Sequence, residues 1–178
     1  WRLHRLAFLD GRGGDRMVRP LLAALDRDGG RALPMTESLL SRISGKDNPQ
    51  MVLGAFEQRW QDPGRIAPDA GRCWIALDRV RDPGNLGTIM RTADATGARG
   101  IILIGDCTDP YSVEAVRASM GAVFNVELAQ MPEDDFLDLA AGWPGQIVGT
   151  ALPASRDYRK VDYACLLYTS PSPRDIPL

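Results

Sequence analysis

The chain has 178 residues, 44% of them hydrophobic and 25% charged, with a formal net charge of −2. That is the composition of a globular protein of one medium domain or two small ones. It excludes a whole-molecule basic field for nucleic acid, a membrane span and, with a single histidine (His4), a His-rich metal site or a second candidate base for a Ser-His-Asp triad.

Val18, Leu21, Leu22 and Leu25 recur at helical spacing, so Asp15 to Arg27 reads as an amphipathic helix stopped by Asp28-Gly29-Gly30. Thr36 caps a second short helix, with Met35, Leu39, Leu40 and Ile43 on one face, ending at Gly45. Met51 to Phe56 reads as a buried strand. Gln61 to Gly71, with two prolines and two glycines, reads as a linker.

From there strands and helices alternate. Strand Trp74–Leu77 leads to a helix from about Leu86 to Thr96, and strand Gly100–Ile104 to a helix from about Val113 to Ser119. Strand Val123–Leu128 leads to a helix from about Asp134 to Ala141, and strand Gln146–Ala151 closes the series. This order predicts an α/β domain, a parallel sheet with helices on both faces. Ligands then belong beyond the carboxyl ends of the strands, at the loops 78–85, 105–112 and 150–155. Cys73, Cys107 and Cys165 stand apart without metal or redox spacing and read as reduced thiols. No secretory leader is evident, and the expected compartment is the cytoplasm.

The richest stretch is Asp82-Pro83-Gly84-Asn85-Leu86-Gly87. Pro83 and Gly84 suit a type II turn, Asn85 suits the N-cap of the helix, and Gly87 permits a close approach. The open amides of a helix start favour an anion. Leu86, Ile89, Met90 and Ala93 form the apolar stripe, with Arg91 off it. These residues describe equally a ligand site and a well-capped core helix with an exposed arginine.

Asp82 to Leu103, DPGNLGTIMRTADATGARGIIL, resembles the first signature motif of the SpoU/TrmH family of RNA ribose 2′-O-methyltransferases, DPxNxGxxxRTAxxxG and a following strand. Asp109 to Ala122, with AVRASMGA, is similar to the family's next segment, and Ile147 to Leu152 to the strand that precedes its second motif. Leu40 to Phe56 is similar to the end of a small ribosomal-protein-like domain that many members carry for RNA binding. The resemblance implies a partial substrate-binding domain over 1–60, a linker over 61–71 and an incomplete methyltransferase domain over 72–165.

It also implies a fold whose C-terminal segment forms a knot, S-adenosylmethionine as cofactor, rRNA or tRNA as substrate, no metal, and a homodimer at full length. By the same resemblance Arg91 and Asn85 are catalytic, Thr150, Ala151 and Leu152 edge the cofactor pocket, and Arg117 and Ser119 contact RNA. The family's second and third motifs are not found before the chain ends, so this piece is expected to lack the knot and to be inactive by itself. Residues 166–178, with two Ser-Pro steps, read as a disordered, non-native tail. A non-catalytic RNA-binding or ribosome-assembly module is the alternative. A dinucleotide oxidoreductase ranks far lower, because GxGxxG is absent.

Overall fold

A computed structural model describes residues 1–67, 73–150 and 166–171, the last of these by backbone alone. Contacts divide the chain into two compact units, Trp1–Arg59 and Trp60–Leu178.

The first unit is a three-stranded sheet with two helices. Its elements are β1 (Leu3–Leu9), α1 (Val18–Asp28), β2 (Arg31–Met35), α2 (Glu37–Ser44) and β3 (Val52–Phe56), with strand order β2-β1-β3. Strands β1 and β2 run parallel, joined across α1, while β3 is antiparallel to β1. Leu3, Leu6 and Leu25 form the core under α1, with Leu21, Leu22 and Val52 around them. Gly29, in the left-handed region at φ 68°, ends α1.

Neither β1 nor β2 is evident from the sequence. The first interleaves His4 and Arg5 with its apolar residues, and the second contains Pro34. Proline is tolerated there because β2 is an edge strand. Met35 consequently ends β2 and does not join the face of α2. Thr36 caps α2 as expected, accepting from the Leu39 N–H at 3.4 Å. Only Leu40 of that helix is buried, and Leu39 and Ile43 are exposed. The expected buried strand at 51–56 is an edge strand exposed over its second half.

The second unit holds a five-stranded sheet, all parallel, in the order β6-β5-β4-β8-β7. In chain order its elements are β4 (Trp74–Asp78), α3 (Pro83–Thr96), β5 (Gly100–Ile104), α4 (Val113–Ala118), β6 (Glu127–Met131), α5 (Glu133–Ala141), β7 (Gln146–Gly149) and β8 (Leu166–Pro171). Alternate side chains of each strand enter opposite cores. Leu77, Ile101, Leu103 and Leu128 pack with Leu86, Met90 and Ala93 of α3 and Ala115 of α4. Trp74, Ala76, Ile102, Ile104, Ala129 and Met131 pack with Phe136 of α5. The expected architecture, helices on both faces of a parallel sheet, is what the chain adopts.

Several boundaries differ from the sequence reading. Val123 is buried in a 3-10 turn, Ala122–Phe124, and the strand starts later, at Glu127. More consequentially, Leu166–Pro171 is strand β8, hydrogen-bonded between β4 and β7, where a tail from 166 onward was expected. Parallel pairing with two neighbours satisfies the backbone of this segment, and backbone pairing does not need the apolar period that the segment lacks.

Candidate active site

From β4 the chain steps outward through β5 to β6, then crosses to lay β7 and β8 on the opposite side of β4. Strand order therefore reverses between β4 and β8. In an open parallel sheet the crevice beyond the carboxyl ends at that point is the natural ligand site. Asp78 and Pro171, paired in register, mark its floor.

Asp78 carries the most unusual polar atom there. Its Oδ2 accepts from the Arg79 guanidinium at 2.7 Å. Its Oδ1 is buried without a hydrogen-bond partner among the described residues, a costly state for a carboxylate oxygen. Arg79 itself holds a left-handed φ of 50°, rare for a non-glycine residue, and also reaches Glu133 at the start of α5, 3.9 Å away. Nearby, Arg81 pairs with Asp106. Cys107 is half-buried, its Sγ 3.4 Å from the Ile104 carbonyl, and burial pushes its thiol pKa up. The sequence reading places Asp78 in a candidate ligand loop and Arg79 among possible RNA-binding arginines, and gives neither a role in the site. The available signal was a charged pair set directly at the end of an otherwise apolar strand.

Helix α3 starts at this crevice, but earlier than the sequence suggests. Asp82, and not Asn85, is the N-cap, accepting from the Asn85 N–H. Pro83 occupies the first helical position, where its fixed φ is already suitable and its missing N–H costs nothing. The dipeptide Pro83-Gly84 is therefore the first turn of a helix and not a type II turn. The cap also changes the electrostatics. A carboxylate of the chain itself sits where an anion was expected, so the helix start is satisfied internally.

Asn85 is exposed in the first turn. Arg91 is exposed two turns in, about 9 Å further along the axis and about 120° around it. The helix alone thus keeps the two apart. Gly87 is buried against α4, and a Cβ there would overlap Ala118 and come 2.8 Å from the Ser119 nitrogen. The close approach it permits is to another backbone. Arg117 is exposed at the end of α4. Ser119 is fully buried, its hydroxyl donating to the Val116 carbonyl at 2.7 Å. That corrects its expected RNA contact, since a side chain without surface has nothing to offer an RNA. Thr150 is exposed just past β7, while Ala151 and Leu152 lie outside the described residues. Among the described residues no cluster of His, Cys, Asp and Glu could hold a metal, and no helix is long and apolar enough to cross a membrane.

The fold defines an open parallel α/β domain whose strand order reverses between β4 and β8. Residues 72–171 match the SpoU rRNA Methylase family model. The chain belongs to the SpoU rRNA methylase family. It is 31% identical over 157 residues to the 23S rRNA (uridine(2479)-2′-O)-methyltransferase of Streptomyces viridochromogenes, covering 84% of this chain and 54% of that one. Among solved structures it superposes on an rRNA methyltransferase from Sinorhizobium meliloti with a TM-score of 0.90 at 42% identity, covering 99% of this chain and 67% of that one. The AdoMet-bound form of that protein superposes with a TM-score of 0.89 at the same identity, covering 99% and 66%. The chain spans about half the length, or less, of the curated relatives it matches.

Proposed function

We propose that the complete protein transfers a methyl group from S-adenosylmethionine to a ribose 2′-hydroxyl of rRNA or tRNA. The observation that carries this reading is a family-matched sheet whose order reverses at β4 and β8, with the Asn85- and Arg91-bearing helix starting at that reversal.

The crevice suits such a cofactor. The orphaned Asp78 Oδ1 is an acceptor awaiting a donor, and an adenosyl amino acid brings hydroxyl and ammonium donors. Asp78 would hold it from the β4 side, and the family resemblance assigns Thr150, Ala151 and Leu152 to the edge of its pocket. When bound, it supplies a methyl already activated on a sulfonium. The chain's part is to place the 2′-oxygen and to manage its charge. An arginine side chain is a permanent cation with donors and no acceptor, so Arg91 does not take the proton. It stabilises the negative charge that grows on the oxygen and draws a neighbouring phosphate into place. Asn85, both donor and acceptor, orients polar groups at the mouth of the crevice. Arg117 offers an exposed cation to the RNA backbone. The family resemblance supports a homodimer acting in the cytoplasm.

The test is single-turnover transfer of labelled methyl to rRNA by the complete protein, followed by nuclease digestion for a 2′-O-methylated nucleotide. Arg91→Ala is expected to slow transfer by about 10²–10³ while cofactor affinity stays nearly constant. Arg91→Lys should rescue only in part, because a point charge does not reproduce the planar fork. Near-parental rates for the alanine variant overturn the catalytic role. RNA binding without transfer by the parent favours the non-catalytic module.

A further inference from the structure

The turn between α4 and β6 leaves apolar surface in solvent. Met120 is 78% exposed and Phe124 40% exposed. Met120 also holds a left-handed φ of 51°, a conformation that costs a non-glycine residue free energy and is common where function requires it. The turn runs along α3. Ala118 and Ser119 abut Gly87 at one end, and the Asn125 amide donates to Asp94 at the other, 3.1 Å away.

Arg91 lies between Gly87 and Asp94 on the helix, within about 60° of both around its axis. Its side chain therefore rises beside this turn. It is exposed and makes no ion pair or hydrogen bond among the described residues. An apolar shelf next to an uncommitted guanidinium complements a ligand that is flat and apolar on one part and anionic on the next. An unstacked nucleotide has that character, and the polarisable Met sulfur suits an aromatic ring.

We propose that Met120 and Phe124 form a shelf that seats one base of single-stranded RNA beside Arg91. The proposal rests on the RNA methyltransferase reading and adds the residues that hold a substrate base next to the reacting ribose.

The experiment is fluorescence anisotropy of this chain, at one fixed salt concentration, with two labelled probes of equal length, a short oligouridylate and an abasic ribose-phosphate oligomer. Met120→Gly removes the side chain and suits the positive φ, so it does not threaten the fold. Met120→Gly and Phe124→Ala should each weaken oligouridylate binding about tenfold, the scale of one base-stacking contact, and leave abasic binding unchanged. Met120→Leu should keep parental affinity, and Arg91→Ala should weaken both probes. Parental affinity of Met120→Gly and Phe124→Ala for both probes, with Arg91→Ala still weak, overturns the shelf and leaves the RNA reading standing. A parent chain that binds neither probe overturns the shelf, and binding of neither probe by the complete protein overturns the RNA reading as well. A change in sedimentation by Met120→Gly with unchanged probe binding makes the patch a self-association face and overturns the shelf.

Discussion

The two sheets solve the same problem differently. Around β5 the five-stranded sheet is covered on both faces, so Gly100 to Ile104 is buried at every residue and reads as one unbroken apolar run. The three-stranded sheet keeps its deepest core under α1, and β3 is exposed over most of its length. A doubly covered parallel strand announces itself in sequence, whereas a sheet with exposed edges hides behind its charged residues. The doubly covered sheet should also concentrate the stability.

The sharpest way to break that contrast is to remove β8. A chain ending at residue 165 loses the strand that bridges β4 and β7. The expected cost is several kcal/mol, lowering the thermal midpoint by on the order of ten degrees in a domain of this size. An unchanged midpoint would show that β8 adds nothing to the fold.

Next comes a pair of leucines. Leu86 is wholly buried over the five-stranded sheet, and Leu39 is 45% exposed on α2 of the other unit. Leu86→Ala should cost about 2–5 kcal/mol by urea unfolding, and Leu39→Ala about 0.5 kcal/mol or less. Equal costs would erase the distinction between the units.

The α/β series from β4 to α5 was legible because helix period and apolar runs are strong signals there. Leu86, Met90 and Ala93 are buried as the stripe required. What the sequence obscured has physical causes. The Asp82 cap lost to Asn85 because both residue types cap well, and Pro83-Gly84 fits a turn and a helix start equally. Strand β1 was hidden by Arg5, and β8 by serine and proline. The close packing at Gly87 was foreseen, against a ligand or another backbone, and the backbone proves to be that of α4; the charged pair closing β4 hinted at Asp78 but not at its buried oxygen.

A smaller effect isolates the start of α3. Asp82→Ala removes the cap and should cost about 1 kcal/mol, read as a shifted urea midpoint with unchanged slope. Asp82→Asn should recover most of it, and a full loss in Asp82→Asn would mean that charge and not capping matters there.

The least effect is a pH dependence. Burial raises the Cys107 thiol pKa in the folded chain, so the fold binds that proton more tightly than the unfolded chain does. The contribution is complete below the unfolded value, about 8.5, and declines as pH rises through it. Urea midpoints of the parent should fall between about pH 7 and about pH 10. Cys107→Ala should flatten part of that fall, with Cys73, also raised by burial, accounting for a further share. An identical slope in the variant would rule Cys107 out.

The position of β8 also governs the order in which the sheet can be made. Among the described residues strand β7 pairs with the sheet only through β8, and β8 meets β4 across roughly ninety residues of chain. On a ribosome, β4, β5 and β6 can close with α3 and α4 as soon as they emerge, all by local crossovers. Strand β7 then waits in solvent with both edges open until β8 arrives to carry it home. Pairings of such long range are slow to form, and an unpaired edge is exposed to association in the interval. The arrival of β8 thus sets when the crevice beside β4, whose second wall it forms, comes into existence.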